Sequence, residues 1–387
     1  MLAEHDITLL SGQEEKKYLA MCAQYIHNPV KLVEKLKKRY SEDKVSDIAE
    51  LLESRYAARA KFGRAEQMFF TREGLEQSTS EQVSLFKGEH YFRAADCVDL
   101  CCGIGGTAVG MAQHAGCVRA VDIDALHLKM AEYNVGLYSP DADCVFKRED
   151  VTQALPDGDL YHFDPSRRQG LQRTFDPEEY SPPLSFTDTI REKSPDVIVK
   201  VSPLFTLSGS DEYSADILSF SGEVKEILLC YGRFRQKETR AIMLPETTIL
   251  VRNPVLEEQA GSDVMEYIYD PDPAVVKGDM CGTLAHELGI SIIVPGVRYM
   301  TSDTYVESPA VKPFRVKQVF PFSYRHVNRY FKRHSIGNIS VKCKDSLIKT
   351  GSITKRLKPK GKGTAALFYI DRGDQDRIFV AAEPVGM

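Results

Sequence analysis

Apolar and charged residues recur at helical spacing through the first ninety positions, as in VKLVEKLKKRY (30–40) and VSDIAELLESRYAARAKF (45–62). This predicts amphipathic helices and a helical N-terminal domain over residues 1–90. From Asp96 the pattern changes to short apolar runs bounded by glycines: CVDLC, CVRAVDI, DCVFKRE, DLYHFD, DVIVKVS, EILLCYG and RAIMLP. Amphipathic segments separate them, which predicts βαβ units and a mostly parallel sheet over residues 91–255. Ligands of such a sheet bind beyond the carboxyl ends of its strands. In the remainder, 256–387, YIYDPDPAVV reads as a strand, a turn at Asp270 to Pro273 and a helix. FRVKQVFPF, SYRHVNRYFKRH, NISVK, LIKTGSITKRL, TAALFYID and RIFVAAEP then predict a small α+β domain of β-α-β-α-β-β type.

A chain of 387 residues is long enough for two or three cores of this kind. No apolar run approaches the roughly 20 residues that a membrane helix needs. The opening MLAEHDITLLSGQEEKKY brings acids early and lacks a basic segment followed by an apolar one, so no export or transit signal is readable and the expected compartment is the cytoplasm. Nine cysteines include no C-x-x-C pair and fall mostly in apolar runs; they read as small hydrophobes, and no metal site is expected. The net charge of -5 is unevenly spread. From Arg325 to Lys362 there are twelve basic residues against one acid, Asp345, a candidate face for phosphate backbones. The charges on the N-terminal helices read as a solvated face, and His286 reads as a packing residue.

Candidate chemistry lies after the strands. In VDLCCGIGGTAVG, Gly103, Gly105 and Gly106 form a turn into a helix near Thr107, where the main chain can approach a ligand closely. The spacing is D-x-x-x-G-x-G-G, not the G-x-G-x-x-G of a dinucleotide fold. Asp99 ahead of this turn would repel a pyrophosphate and suits an ammonium group. Asp122, about 17 residues beyond the glycines, can accept the hydroxyls of a ribose. Asp150, ending VFKRED, suits an adenine amine, with Val151 donating its N–H to the ring; alternatively Asp150 caps a helix. Asp164, in HFDPSRR, follows an apolar run with Pro165 fixing the chain behind it, and suits an acceptor for a reacting amine. Arg167 and Arg168 are placed for phosphate or carboxylate, or for an ion pair with a neighbouring acid.

These segments, with MFFTREGLEQSTSEQV (68–83), VIVKVSP, YDPDPAVV and FKRHSIGNISVK, resemble class I methyltransferases carrying a C-terminal THUMP-like domain. A more distant similarity is to the trimethylguanosine synthase and guanine-N2 RNA methyltransferase group, which methylates exocyclic amines. The resemblance implies a Rossmann-like α/β fold and S-adenosyl-L-methionine as cofactor. The cofactor set is then Thr79, Asp99, Cys101, Gly103, Gly105, Gly106, Asp122, Ile123, Asp150 and Val151, with Asp164, Pro165 and Arg167 at the reaction centre. It also implies an RNA substrate, tRNA or rRNA, contacted by Arg167, Arg168, Lys355, Arg356, Lys358 and Lys360, KRLKPKGK being a flexible basic turn. No membrane and no obligate protein partner is implied. The distant group has Asp-Pro-Pro-aromatic where this chain has Asp164, Pro165, Ser166 and Arg167. The aromatic that would stack on a flipped base is missing, and Arg167, Phe163 or Phe175 is expected to replace it. Alternative readings are a methyltransferase of protein or small molecules, and a non-catalytic protein that binds cofactor or RNA.

Overall fold

A computed structural model of the chain describes residues 2–169, 172–174, 176–207, 210–256, 261–344, 348–373 and 376–385, without the side chains of 168, 169, 172 and 173. The chain forms two compact units, Met1–Ala215 with Glu226–Lys237 and Asp216–Lys225 with Glu238–Met387. None of the described helices is long and apolar enough to cross a membrane.

The first unit opens with six helices: α1 (Glu4–Leu10), α2 (Gln13–Ala23), α3 (Pro29–Leu36), α4 (Glu42–Ala58), α5 (Arg72–Gln77) and α6 (Glu81–Tyr91). Val45, Ile48 and Leu52 recur three and four residues apart, so they share one face of α4; with Leu19, Leu36, Phe62 and Phe69 they form one core. Thr71 starts α5 by accepting the N–H of Gly74 at 2.9 Å, satisfying an otherwise orphaned donor.

The sheet follows. Its elements are β1 (Asp96–Leu100), α7 (Ala108–His114), β2 (Cys117–Asp122), α8 (Ala125–Tyr138), β3 (Cys144–Arg148) and β4 (Leu160–Phe163). After a two-residue ladder, β5 (Arg168–Gln169) with β6 (Gln172–Arg173), come α9 (Phe186–Lys193), β7 (Val197–Val201), β8 (Ser214–Phe220) and β9 (Glu223–Cys230). In this unit the strand order is β9-β7-β4-β1-β2-β3. The pairs from β7 to β3 are parallel and β7–β9 is antiparallel. The chain leaves β1 toward β2 and β3, then returns to place β4 on the other side of β1. That reversal opens a crevice beyond the carboxyl ends of β1 and β4. Both β4 and β7 are buried along their whole length, as central parallel strands are, which carries His162 and Lys200 into the interior. The pair α6 and α7 packs at close range: a Cβ on Gly88 would lie 2.2 Å from the Gly110 carbonyl oxygen, and one on Gly110 would lie 1.9 Å from that of Ser84.

In the second unit β8 pairs parallel with β10 (Arg240–Leu244), and β10 antiparallel with β11 (Thr248–Val251). The strands Ser214–Phe220 and Thr248–Val251 were not expected from the pattern. Next come β12 (Tyr267–Pro271), α10 (Pro273–Lys277), α11 (Cys281–Leu288), β13 (Ser291–Ile292) and β14 (Met300–Ser302). Last are β15 (Val311–Pro321), α12 (Tyr324–Arg333), β16 (Ile336–Cys343), α13 (Thr350–Thr354), β17 (Gly363–Asp371) and β18 (Arg377–Pro384). These last six have the expected β-α-β-α-β-β order, within a seven-stranded sheet of order β13-β14-β12-β15-β18-β17-β16. Successive residues of β17 point to opposite faces. Leu367 and Tyr369 join Val327, Phe331 and Ile353 on one side; Ala366, Phe368 and Ile370 join Tyr299 and Phe314 on the other. Both faces are covered, hence the unbroken apolar run AALFYI.

Three expectations need correction here. Strand β12 runs on through Asp270 and Pro271, and the stop falls at Asp272, which caps α10 by accepting the Ala274 N–H at 2.8 Å. His286 is exposed on α11 and does not pack. The KRLKPKGK segment is fastened down: Asn328 donates to the Arg356 carbonyl (3.2 Å) and accepts from the Lys358 N–H (2.7 Å), Leu357 is buried, and Arg356 lies over the Tyr324 ring.

Candidate active site

At the carboxyl ends of β1 to β4 lies a cavity of about 520 Å³. Asp99, Cys101, Gly103, Gly106, Asp122, Ile123, Asp150, Val151, Asp164, Pro165, Arg167 and Thr79 all line it. Gly105 alone of the expected set does not; a Cβ there would meet Ala131 of α8 at 3.1 Å, so it serves the packing of turn on helix. Gly103, at φ 54°, has nothing within 4 Å of where its Cβ would stand, leaving that wall open for a ligand to approach the main chain. Cys101 also takes a left-handed φ of 60°, and burial pushes its thiol well above the ordinary range, so it presents no thiolate.

The acids differ in what holds them. Asp99 is 1 % exposed; its Oδ1 lies 2.8 Å from His162 Nδ1, and its buried Oδ2 has no hydrogen-bond partner among the described residues. Asp122 accepts the N–H of Gly103 (2.7 Å) and of Asp124 (2.9 Å), and burial raises its pKa above the ordinary carboxylate value. Asp150 accepts the hydroxyl and N–H of Thr152, which lower its pKa; it braces a turn at 151–153, and the helix it was alternatively expected to cap is absent there. Asp164 Oδ2 accepts from Lys200 Nζ at 2.6 Å. No ion pair to an acid holds Arg167 among the described residues, whereas the Arg168 side chain lies outside them. Phe163 is fully buried and packs on Phe186, so it cannot stack on a base, and Phe175 lies outside the described residues. Among the described lining residues the only aromatic ring is that of His127.

Sequence reasoning missed the groups behind the wall. Lys87 Nζ lies 2.9 Å from Glu226 Oε1 and donates to the Thr107 hydroxyl at 3.0 Å. Thr79, which lines the cavity, gives its hydroxyl to Glu226 Oε2 (3.1 Å). Burial alone would raise the Glu226 carboxyl, but Lys87 and Lys200 outweigh it and hold it at about 2. Also missed were Glu73, Gln77 and Ser78, with which α5 and its end close one side of the cavity. A charge in an otherwise apolar strand, as in VIVKV or LYHF, was the available signal, because a lone buried lysine or histidine demands partners.

Residues 94–208 match the family model for RNA cap guanine-N2 methyltransferase, and residues 311–384 match THUMP domain-like. A crystal structure of a candidate methyltransferase from Porphyromonas gingivalis W83 superposes with a TM-score of 0.78 at 19% identity, covering 96% of this chain and 99% of that one. A candidate RNA methyltransferase from Pyrococcus horikoshii, at 15% identity, covers 42% of this chain and 90% of that one with a TM-score of 0.29. Magnesium protoporphyrin IX methyltransferase from Synechocystis, solved with bound S-adenosylmethionine, is 14% identical and covers 39% of this chain and 75% of that one with a TM-score of 0.29. No curated protein matches the chain. By these matches the chain is similar to RNA cap guanine-N2 methyltransferases over residues 94–208 and to THUMP-like domains over residues 311–384, and its fold is that of a solved candidate methyltransferase.

Proposed function

We propose that the cavity binds S-adenosylmethionine and that its methyl group passes to a base nitrogen of RNA, an exocyclic amine being the best fit. The observation that carries this reading is Asp164: an acceptor held by a cation, placed in the same cavity as Asp99 and Asp122. The residues present fit the cofactor. The Oδ2 of Asp99, without a partner among the described residues, suits the methionine ammonium, Asp122 suits the ribose, and Asp150 with the Val151 N–H suits the adenine. Ile123, 64% exposed beside them, offers an apolar face for the ring. The cofactor, when bound, supplies a methyl already activated on sulfonium sulfur. What remains for the chain is to orient the acceptor amine, to exclude water and to let the proton go after transfer, which needs no strong base. Asp164 does the orienting, Pro165 sets its backbone, and Arg167, in no ion pair with an acid among the described residues, can hold a phosphate or stack on the base in place of the missing aromatic.

RNA is the substrate class that the second unit supports. Helix α12 presents Arg325, Arg329, Lys332 and Arg333 to solvent, and Lys355, Arg356, Lys358 and Lys360 are also exposed. The description of the matched families points the same way. Lys342 and Lys344 are less available, because both pair with Asp270 (3.0 and 2.7 Å). The test is transfer of radiolabelled methyl into total RNA and total protein, wild type beside Asp164→Ala, with nucleoside analysis. Label in one RNA nucleoside that vanishes in the variant supports the reading. Label only in protein, or undiminished turnover in Asp164→Ala, overturns it.

A further inference from the structure

We propose that Lys200 is a positioning residue of the methyl transfer, holding one oxygen of Asp164 in place and leaving the other for the acceptor amine. The inference rests on the reading of Asp164 given above. Lys200 is not part of the cavity wall; it acts from behind, through Asp164. Its Nζ donates to Asp164 Oδ2 (2.6 Å) and to the Gln77 carbonyl (3.2 Å), and lies 3.9 Å from Glu226 Oε2. Glu226 is clamped in turn by Lys87 and the Thr79 hydroxyl. Charge therefore alternates Asp164, Lys200, Glu226, Lys87 from the cavity inward, in residues that apart from Asp164 are all under 9% exposed.

Such a row is costly to bury, and an apolar residue at the fourth position of β7 would hold the sheet together at least as well. Its arrangement has a chemical use. As the nitrogen lone pair forms the N–C bond and the C–S bond breaks, sulfur leaves as a neutral thioether and positive charge moves to the nitrogen, which then sheds a proton. A carboxylate beside that nitrogen stabilises the developing charge. Lys200 engages one Asp164 oxygen and pins its rotamer, while Glu226 offsets the lysine from behind, so that the other oxygen faces the substrate. Burial would lower the pKa of Lys200, but Asp164 and Glu226 outweigh it and raise it, so the ammonium persists. The other ionisable groups around this pair are Arg167 and Cys101 at the cavity and Glu226, Lys87 and His162 behind it.

The test is Lys200→Met, with Lys200→Gln as the variant that keeps a donor without the charge. In Lys200→Met, kcat for methyl transfer into total RNA should fall about tenfold or more while KM and the S-adenosylmethionine affinity read by calorimetry stay nearly unchanged, and Lys200→Gln should recover part of the loss. An unmoved kcat, or a loss of kcat shared by a comparable loss of cofactor affinity, overturns the inference; if Lys200→Met does not fold, the same outcomes are read on Lys200→Gln. Failure of the proposed function is separate: it shows as full turnover in Asp164→Ala, whatever the Lys200 variants do.

Discussion

Asp122 is set before any ligand arrives, since the N–H groups of Gly103 and Asp124 fix its two oxygens at the strand end. Removing an ionised acceptor of hydrogen bonds costs about 1.5–3 kcal/mol. Asp122→Ala should therefore weaken S-adenosylmethionine binding roughly 10–100-fold by calorimetry with the circular dichroism unchanged; an unaltered affinity would remove its ribose role. Glu226 has a different consequence. Its pKa falls from an ordinary 4.5 to about 2 in the folded protein, so its stabilisation is complete above the higher value and is lost as pH falls toward the lower one. Urea titrations across that window should show Glu226→Gln with a flatter acid dependence than wild type. Acids at strand ends, Asp99, Asp122, Asp150 and Asp164, were legible because the fold class says where ligands lie. Lys87, His162, Lys200 and Glu226 were not, because each is a single charge in its own segment and their meeting depends on tertiary pairing.

Among the elements, α6 and α7 show most directly how sequence dictates packing. Ser84 donates to the Thr107 carbonyl and accepts the Gly110 N–H at 2.8 Å, and the absence of side chains at Gly88 and Gly110 lets the helices touch. Gly110→Ala should cost about 1–3 kcal/mol or more by overpacking, read as a lower urea midpoint; a neutral result would mean that the crossing is looser than described. Periodicity found the helices and most strands because both signals are local. It missed β8 because Asp216 interrupts the apolar run SADILSF. That acid is tolerated because Arg240 of β10 donates to it at 2.7 Å, a pairing no local window contains. The basic segment after α13 was read as flexible from composition, whereas Asn328 and the buried Leu357 tie it to the domain.

For the molecule as a whole, a net charge of -5 conceals a basic C-terminal stretch. Replacing Lys355, Arg356, Lys358 and Lys360 by Gln should weaken RNA binding and reduce the slope of log affinity against log salt by roughly three, at about 0.7–0.9 per phosphate contact. A slope that does not move would place the RNA elsewhere. The order of elements and the class of fold were readable from one end of the chain to the other, while the chain's passage between its two units, at 215/216, 225/226 and 237/238, was not, since compactness is a property of contacts. Asn134 of α8 exchanges hydrogen bonds with the Phe69 N–H and carbonyl (2.8 and 2.9 Å) and donates to the Ile104 carbonyl (3.1 Å). Ile104 and Met130 belong to the core of the N-terminal helices. The recognisable methyltransferase segment is thus not a transplantable cassette: excised at residue 94, it would carry a glycine turn with no backing, a stranded amide and an open apolar wound.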